Sequence, residues 1–177
     1  SSEDILHHYT MDSINKYIQT NKLHYILQKI NPSKIPNFEN IRDHIRNYCK
    51  QNLSQNQFLG VQESNEDLIE IGGRFIIRNG ESVSIYQSKP DLNEVEISSK
   101  GGSSSTSFIP INYYEHFLAD GFIEWHTHPF KGSIYPSDRD LDLFANSLRL
   151  SDRKPYFHII YVPSEDIFSC WKPTISR

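Results

Sequence analysis

The stretch Glu124-Trp125-His126-Thr127-His128-Pro129 places two imidazoles one residue apart, and Ser137-Asp138-Arg139-Asp140 follows shortly after. Two imidazoles and a carboxylate are a sufficient ligand set for a catalytic zinc ion that keeps its fourth position open for water. The chemistry such a set supports is metal-assisted hydrolysis. Successive residues of a strand point to opposite faces. Glu124, His126 and His128 therefore share one face, and Ile123, Trp125 and Thr127 share the other. The second face is apolar and suits packing against a helix. Pro129 ends strand pairing and leaves the imidazoles at an open rim.

Ser137-x-x-Asp140 matches a helix start, with Ser137 as N-cap and acids in the first turn offsetting the helix dipole. A ligand role is compatible with this, because an aspartate in a first turn is held firmly and can reach a metal beyond the helix start. A hydrolase also needs a base. Glu70 is the first candidate, a carboxylate between Ile69 and Ile71 with Gly72 on its own face leaving room beside it. Glu124 is the rival. It shares the histidine face but lies back along the strand from the rim. His7, His8, His24, His44 and His116 read as ordinary polar positions in helical segments, and Asp138 and Asp142 as dipole-compensating surface acids. His158, on a strand with Tyr156 and Ile160, is a candidate for supporting a ligand from behind.

These residues need elements to position them. Ile5, Leu6, Tyr9, Ile14, Tyr17 and Ile18 recur at helical spacing, and Leu23, Ile26, Leu27 and Ile30 continue it. After Pro32 and Pro36, Asn37 is expected to cap a third helix with Ile41, Ile45, Tyr48 and Cys49 on one face. Gln51 to Gln57 reads as a connector. The expected organisation is an N-terminal helical region over 1–57 and a second domain over 58–177. In the latter, residues 68–77 read as a strand, Asn79-Gly80 as a hairpin turn, and 83–86 as the return strand. A strand at 94–97, a flexible Gly/Ser loop at 100–107 (a plain connector or a substrate-contacting loop) and a short helix at 112–119 follow. Then come a strand at 122–128, a helix at 137–148 and a hairpin of 156–162 with 167–171. The order predicts an α/β sandwich with a mixed or antiparallel sheet flanked by helices, plus an N-terminal helical extension.

The chain has 177 residues, 37% hydrophobic and 23% charged, with ten Tyr, ten Phe and two Trp. That is enough for a real core without disulfides or structural metals. The net charge of −4 gives no basic footprint for nucleic acid. Cys49 and Cys170 are far apart and make neither a disulfide framework nor a cysteine zinc site; two half-buried reduced thiols are expected. The residues Ser1-Ser2-Glu3-Asp4 lack signal-peptide character, and no apolar run is long enough for a bilayer. A cytoplasmic location with neither nucleic-acid nor membrane partner is the expectation.

His126-x-His128-Pro129, the spacer, Ser137-x-x-Asp140 and the upstream Glu70-x-Gly72-Gly73 together resemble the signature of the JAMM/MPN+ (JAB) metalloproteases, over about residues 67–171. The resemblance implies a JAB/MPN, cytidine-deaminase-like sandwich. It implies that His126, His128 and Asp140 bind one Zn2+ ion. Glu70 would take a proton from the attacking water and pass it to the leaving amine, and Ser137 would hydrogen-bond the oxyanion. The implied activity is that of an isopeptidase or peptidase removing ubiquitin or a ubiquitin-like protein from conjugates, including in a bacterial conjugation or defence system. Trimming of a sulfur-carrier protein after a terminal Gly-Gly is a second expectation, and a non-catalytic MPN scaffold a third.

Overall fold

Apolar residues on both sides of a strand mark it as central, because each face must then be covered. The segments Gly121–Thr127 and Tyr156–Val162 are buried at every position, and the fold is arranged around them. The computed structural model describes residues 8, 10–60, 69–87 and 117–176, of which 81–87 by backbone alone. Its elements are α1 (Met11–Thr20), β1 (Tyr25–Ile30), a 3-10 turn (Pro32–Lys34), α2 (Phe38–Asn52), α3 (Gln55–Leu59), β2 (Gly72–Arg78), β3 (Glu81–Gln87), β4 (Gly121–Thr127), α4 (Asp138–Leu150), β5 (Tyr156–Val162) and β6 (Ile167–Ile175). The six strands form one sheet in the order β1-β6-β5-β4-β2-β3. β4 and β5 pair in parallel through the α4 crossover, and the other described pairs are antiparallel. The architecture is thus α/β with a mixed sheet flanked by helices.

The pleat sorts the core into two layers. Ile123, Trp125, Phe75, Ile77, Phe157, Ile159 and Cys170 pack with Ile41, Ile45 and Cys49 of α2. Ile76, Phe122, Tyr156, Ile160 and Trp171 pack on the opposite face with Ile14 and Ile18 of α1 and Leu141, Phe144 and Leu148 of α4. The apolar face of β4 is therefore covered by a helix, as its alternation requires. Both thiols are fully buried rather than half-buried. Burial pushes both up, Cys170 to about 12, and keeps them protonated.

Several local expectations are corrected. Residues 25–30 are not helical. Tyr25 and Leu27 are buried while Ile26 and Gln28 are exposed, a period of two, and β1 pairs with β6 along its whole length. The described part of 1–57 therefore contributes a strand to the shared sheet and two helices to its faces. His24 is not helical either; it lies in the left-handed region just before β1. Gln51 to Gln57 is mostly helix, split between α2 and α3. Asn37 does precede α2, but it sits in the left-handed region and its side chain makes no cap hydrogen bond. The Asn79-Gly80 hairpin is as expected, with φ of 55° and 79°, the signs of a type I′ turn. The expected strand at 94–97, the loop at 100–107 and residues 112–116 of the expected short helix lie outside the described residues. Among the described residues no helix is long and apolar enough to cross a membrane.

Gly73 pairs with Trp125 across β2 and β4. A β-carbon there would meet the indole Nε1 at 2.6 Å, and that indole is fully buried against the edge of Tyr48. The glycine makes room for the tryptophan. Gly73→Ala is expected to destabilise the protein by about 1–3 kcal/mol, the usual cost of overpacking. Urea unfolding checks this, and an unchanged midpoint with unchanged slope contradicts it.

Candidate metal centre

The centre forms where β4 runs out. Thr127 is its last strand residue, and the His128 N–H still donates to the Tyr161 carbonyl at 2.9 Å. Pro129 has no N–H to continue the ladder. His126 and His128, two residues apart, project from the same face. Their Nε2 atoms are 3.0 Å apart. Asp140 arrives from the first turn of α4. Its Oδ1 lies 3.1 Å from His126 Nε2 and its Oδ2 lies 3.0 Å from His128 Nε2. Ligand atoms sharing a tetrahedral zinc at about 2.0–2.1 Å are roughly 3.3 Å apart, so these separations are within a few tenths of what one ion demands.

The hydrogen bonds behind the rings decide which atoms face inward. His128 Nδ1 is 2.7 Å from the Ser133 carbonyl, which can only accept, so the proton resides on Nδ1. In the neutral ring Nε2 then carries a lone pair. That lone pair faces a carboxylate oxygen and another imidazole nitrogen, an arrangement of acceptors that calls for a cation. His126, His128 and Asp140 are all buried. Burial alone would raise the Asp140 carboxyl; with no metal bound, His126 and then His128, when protonated, more than offset this and hold it well below the usual carboxylate range. The residues fit a divalent metal.

Ser137 and Asp140 close a capping box. The Asp140 N–H donates to Ser137 Oγ at 3.2 Å, and the Ser137 N–H donates to Asp140 Oδ2 at 3.0 Å. The cap fixes the carboxylate. It leaves the hydroxyl proton of Ser137 free of that bond, since Oγ acts there as acceptor.

Glu70 is not within the strand, which starts at Gly72. It is nevertheless held on both sides. Gln57 Nε2 donates to the Ile69 carbonyl at 3.0 Å. The Ile71 N–H donates to Thr127 Oγ1 at 3.0 Å, and the Thr127 N–H donates to the Ile71 carbonyl at 2.8 Å. Glu70 Oε1 thereby comes to 3.9 Å from His128 Nε2. The ligand atoms of the buried Glu70, His126 and His128 all lie within 4.8 Å of one another, a group that could hold a metal ion. Glu124 is committed elsewhere. It takes a 2.8 Å ion pair from Arg74 Nε and a 2.6 Å hydrogen bond from the Ser147 hydroxyl.

Four residues make contacts that their sequence reading did not name. His158 Nε2 lies 2.5 Å from His126 Nδ1, and the Tyr156 hydroxyl lies 2.8 Å from His158 Nδ1. Burial, then His126, push the His158 imidazole well down and favour its neutral form. Burial, then Glu124, push the Tyr156 hydroxyl up. The period of β5 puts Tyr156 and His158 on one face, but only its pairing with β4 reveals which histidine they meet. His8 is a buried partner of Asp138 and Ser13 rather than an ordinary helical position. Asp142 accepts from the Tyr17 hydroxyl at 3.0 Å.

Asp140→Asn is expected to weaken zinc binding by at least about 10-fold, since even a supporting partner costs 10- to 100-fold when lost. Competition against a chromogenic chelator measures it, and unchanged affinity would leave Asp140 a helix-capping acid only. The ligands must be deprotonated to bind, so affinity is expected to fall as pH falls.

Compared with protein-family models, curated proteins and solved structures, the chain gives no match.

Proposed function

We propose that this protein is a zinc-dependent isopeptidase or peptidase of JAMM/MPN+ type that cleaves ubiquitin or a ubiquitin-like protein from its conjugates. One observation supports it most. Two imidazole Nε2 atoms and the Asp140 carboxylate converge to 3.0–3.1 Å at a strand end, with the Glu70 carboxylate 3.9 Å from His128. His126, His128 and Asp140 would hold the ion. When bound, zinc supplies a Lewis acid and brings water's pKa to roughly 7. Glu70, 3.9 Å from His128 Nε2, would accept the proton of the attacking water and return it to the leaving amine. Its buried position favours proton transfer over solvent leakage. Ser137, whose proton is not used by the cap, would donate to the developing oxyanion. The hydrolytic class rests on the ligand set, and the substrate class on the resemblance of the Glu, His-x-His and Ser-x-x-Asp pattern.

Glu70→Gln is expected to keep stoichiometric zinc and lose about 10²- to 10⁴-fold in turnover. The assay is cleavage of a panel of ubiquitin-like fusions and Lys-linked conjugates, with chelator controls. Loss of zinc in this variant would make Glu70 a ligand; full activity would assign the base elsewhere. Cleavage of linear extensions alone would favour the sulfur-carrier reading. A folded protein that never holds stoichiometric zinc would favour the scaffold. Ser137→Ala is expected to lower turnover about 10²- to 10³-fold and stability by about 1 kcal/mol through the lost cap. A stability loss with normal turnover would confine Ser137 to capping.

A further inference from the structure

The polar groups buried behind His126 take no part in the hydrolytic step, yet they form one directed series. His126 Nδ1 is 2.5 Å from His158 Nε2, and His158 Nδ1 is 2.8 Å from the Tyr156 hydroxyl. Arg74 Nε and the Ser147 hydroxyl hold the Glu124 carboxylate at 2.8 and 2.6 Å. His158, Tyr156 and Glu124 are buried to 0%, 2% and 4% exposure, so water cannot substitute for any of these partners.

The metal end sets the direction. To face a cation, His126 must keep its lone pair on Nε2 and carry its proton on Nδ1. That proton goes to the His158 Nε2 lone pair, and His158 Nδ1–H donates to the Tyr156 oxygen. A neutral imidazole protonated at Nδ1 carries its lone pair on Nε2, and that lone pair accepts from His126 Nδ1–H. His126 is left with its own lone pair on Nε2, the atom facing His128 and Asp140. Parallel pairing supplies the geometry, because β5 sets His158 opposite Glu124, on the face that carries His126.

We infer that His158 and Tyr156 are positioning residues that fix the tautomer and ring orientation of His126 for metal binding. This rests on the metal-centre reading. Metal-binding histidines commonly donate their second N–H to an acceptor that orients the ring; here that acceptor is an imidazole backed by a phenol.

Two readouts test it together: nitrogen-15 NMR of the histidine rings in the metal-free protein, and zinc affinity by chelator competition. In the wild type, the proton of His126 is expected on Nδ1. His158→Leu is expected to abolish that preference and weaken zinc binding about 10- to 100-fold. His158→Gln, which retains an acceptor and a donor, is expected to recover part of both. Tyr156→Phe removes one oxygen and carries the test if His158→Leu does not fold; it is expected to reduce the Nδ1 preference and the affinity. A wild-type proton on His126 Nε2 would overturn the inference. So would folded His158→Leu or Tyr156→Phe protein with unchanged tautomer and unchanged affinity. If the wild type takes up no zinc, the metal reading fails, while the tautomer measurement still decides the relay.

Discussion

A neutral imidazole whose Nδ1 proton is already given to a carbonyl has only a lone pair left to turn the other way. His128 is in that position. Its Nδ1 is spent on Ser133, and its Nε2 faces His126 and Asp140. Acceptors brought this close in a dry place repel unless a positive charge joins them. That requirement gives meaning to the strand end, to the capped helix and to the chain of polar groups behind His126.

The sheet is what makes the convergence rigid. β4 is central and buried on both faces, so His126 within it and His128 at its end cannot swing away without disturbing packed layers. β5 lies parallel beside it because α4 crosses between them, and that same helix delivers Asp140 in its first turn. One β-α-β unit thus supplies the His pair, the carboxylate and the His158 support. β2 pairs on the other side of β4, and the Ile71–Thr127 exchange of hydrogen bonds holds Glu70 at the rim. The price of the arrangement is a buried carboxylate, Glu124, paired with a half-buried Arg74. Removing one partner of such a pair strands a charge at a cost of about 3–5 kcal/mol.

Local features of the fold were legible in the sequence, and long-range ones were not. The β4 alternation, the Ser137 cap and the Asn-Gly turn follow from periods and spacings within a few residues, whereas the closeness of Asp140 to the His pair was implied by the resemblance. β1 was misread because Leu23, Ile26, Leu27 and Ile30 fit helical spacing. Its strand state is decided by pairing with β6, at the opposite end of the chain. His158 was legible as a support from behind, but which histidine it meets is set by the β4–β5 register, and Tyr156 gave no signal of its own. His8 meets Asp138 only once the chain is folded. Asn37 shows the converse, a correct boundary whose physical reason is left-handed backbone rather than a side-chain cap.

The most direct measurement is X-ray absorption at the zinc edge of protein reconstituted with one equivalent of the ion. Only nitrogen and oxygen neighbours at about 2.0–2.2 Å, including the outer-shell scattering of two imidazoles, are predicted. Sulfur neighbours at about 2.3 Å, or a spectrum unchanged when both His126 and His128 are replaced by alanine, would contradict the account.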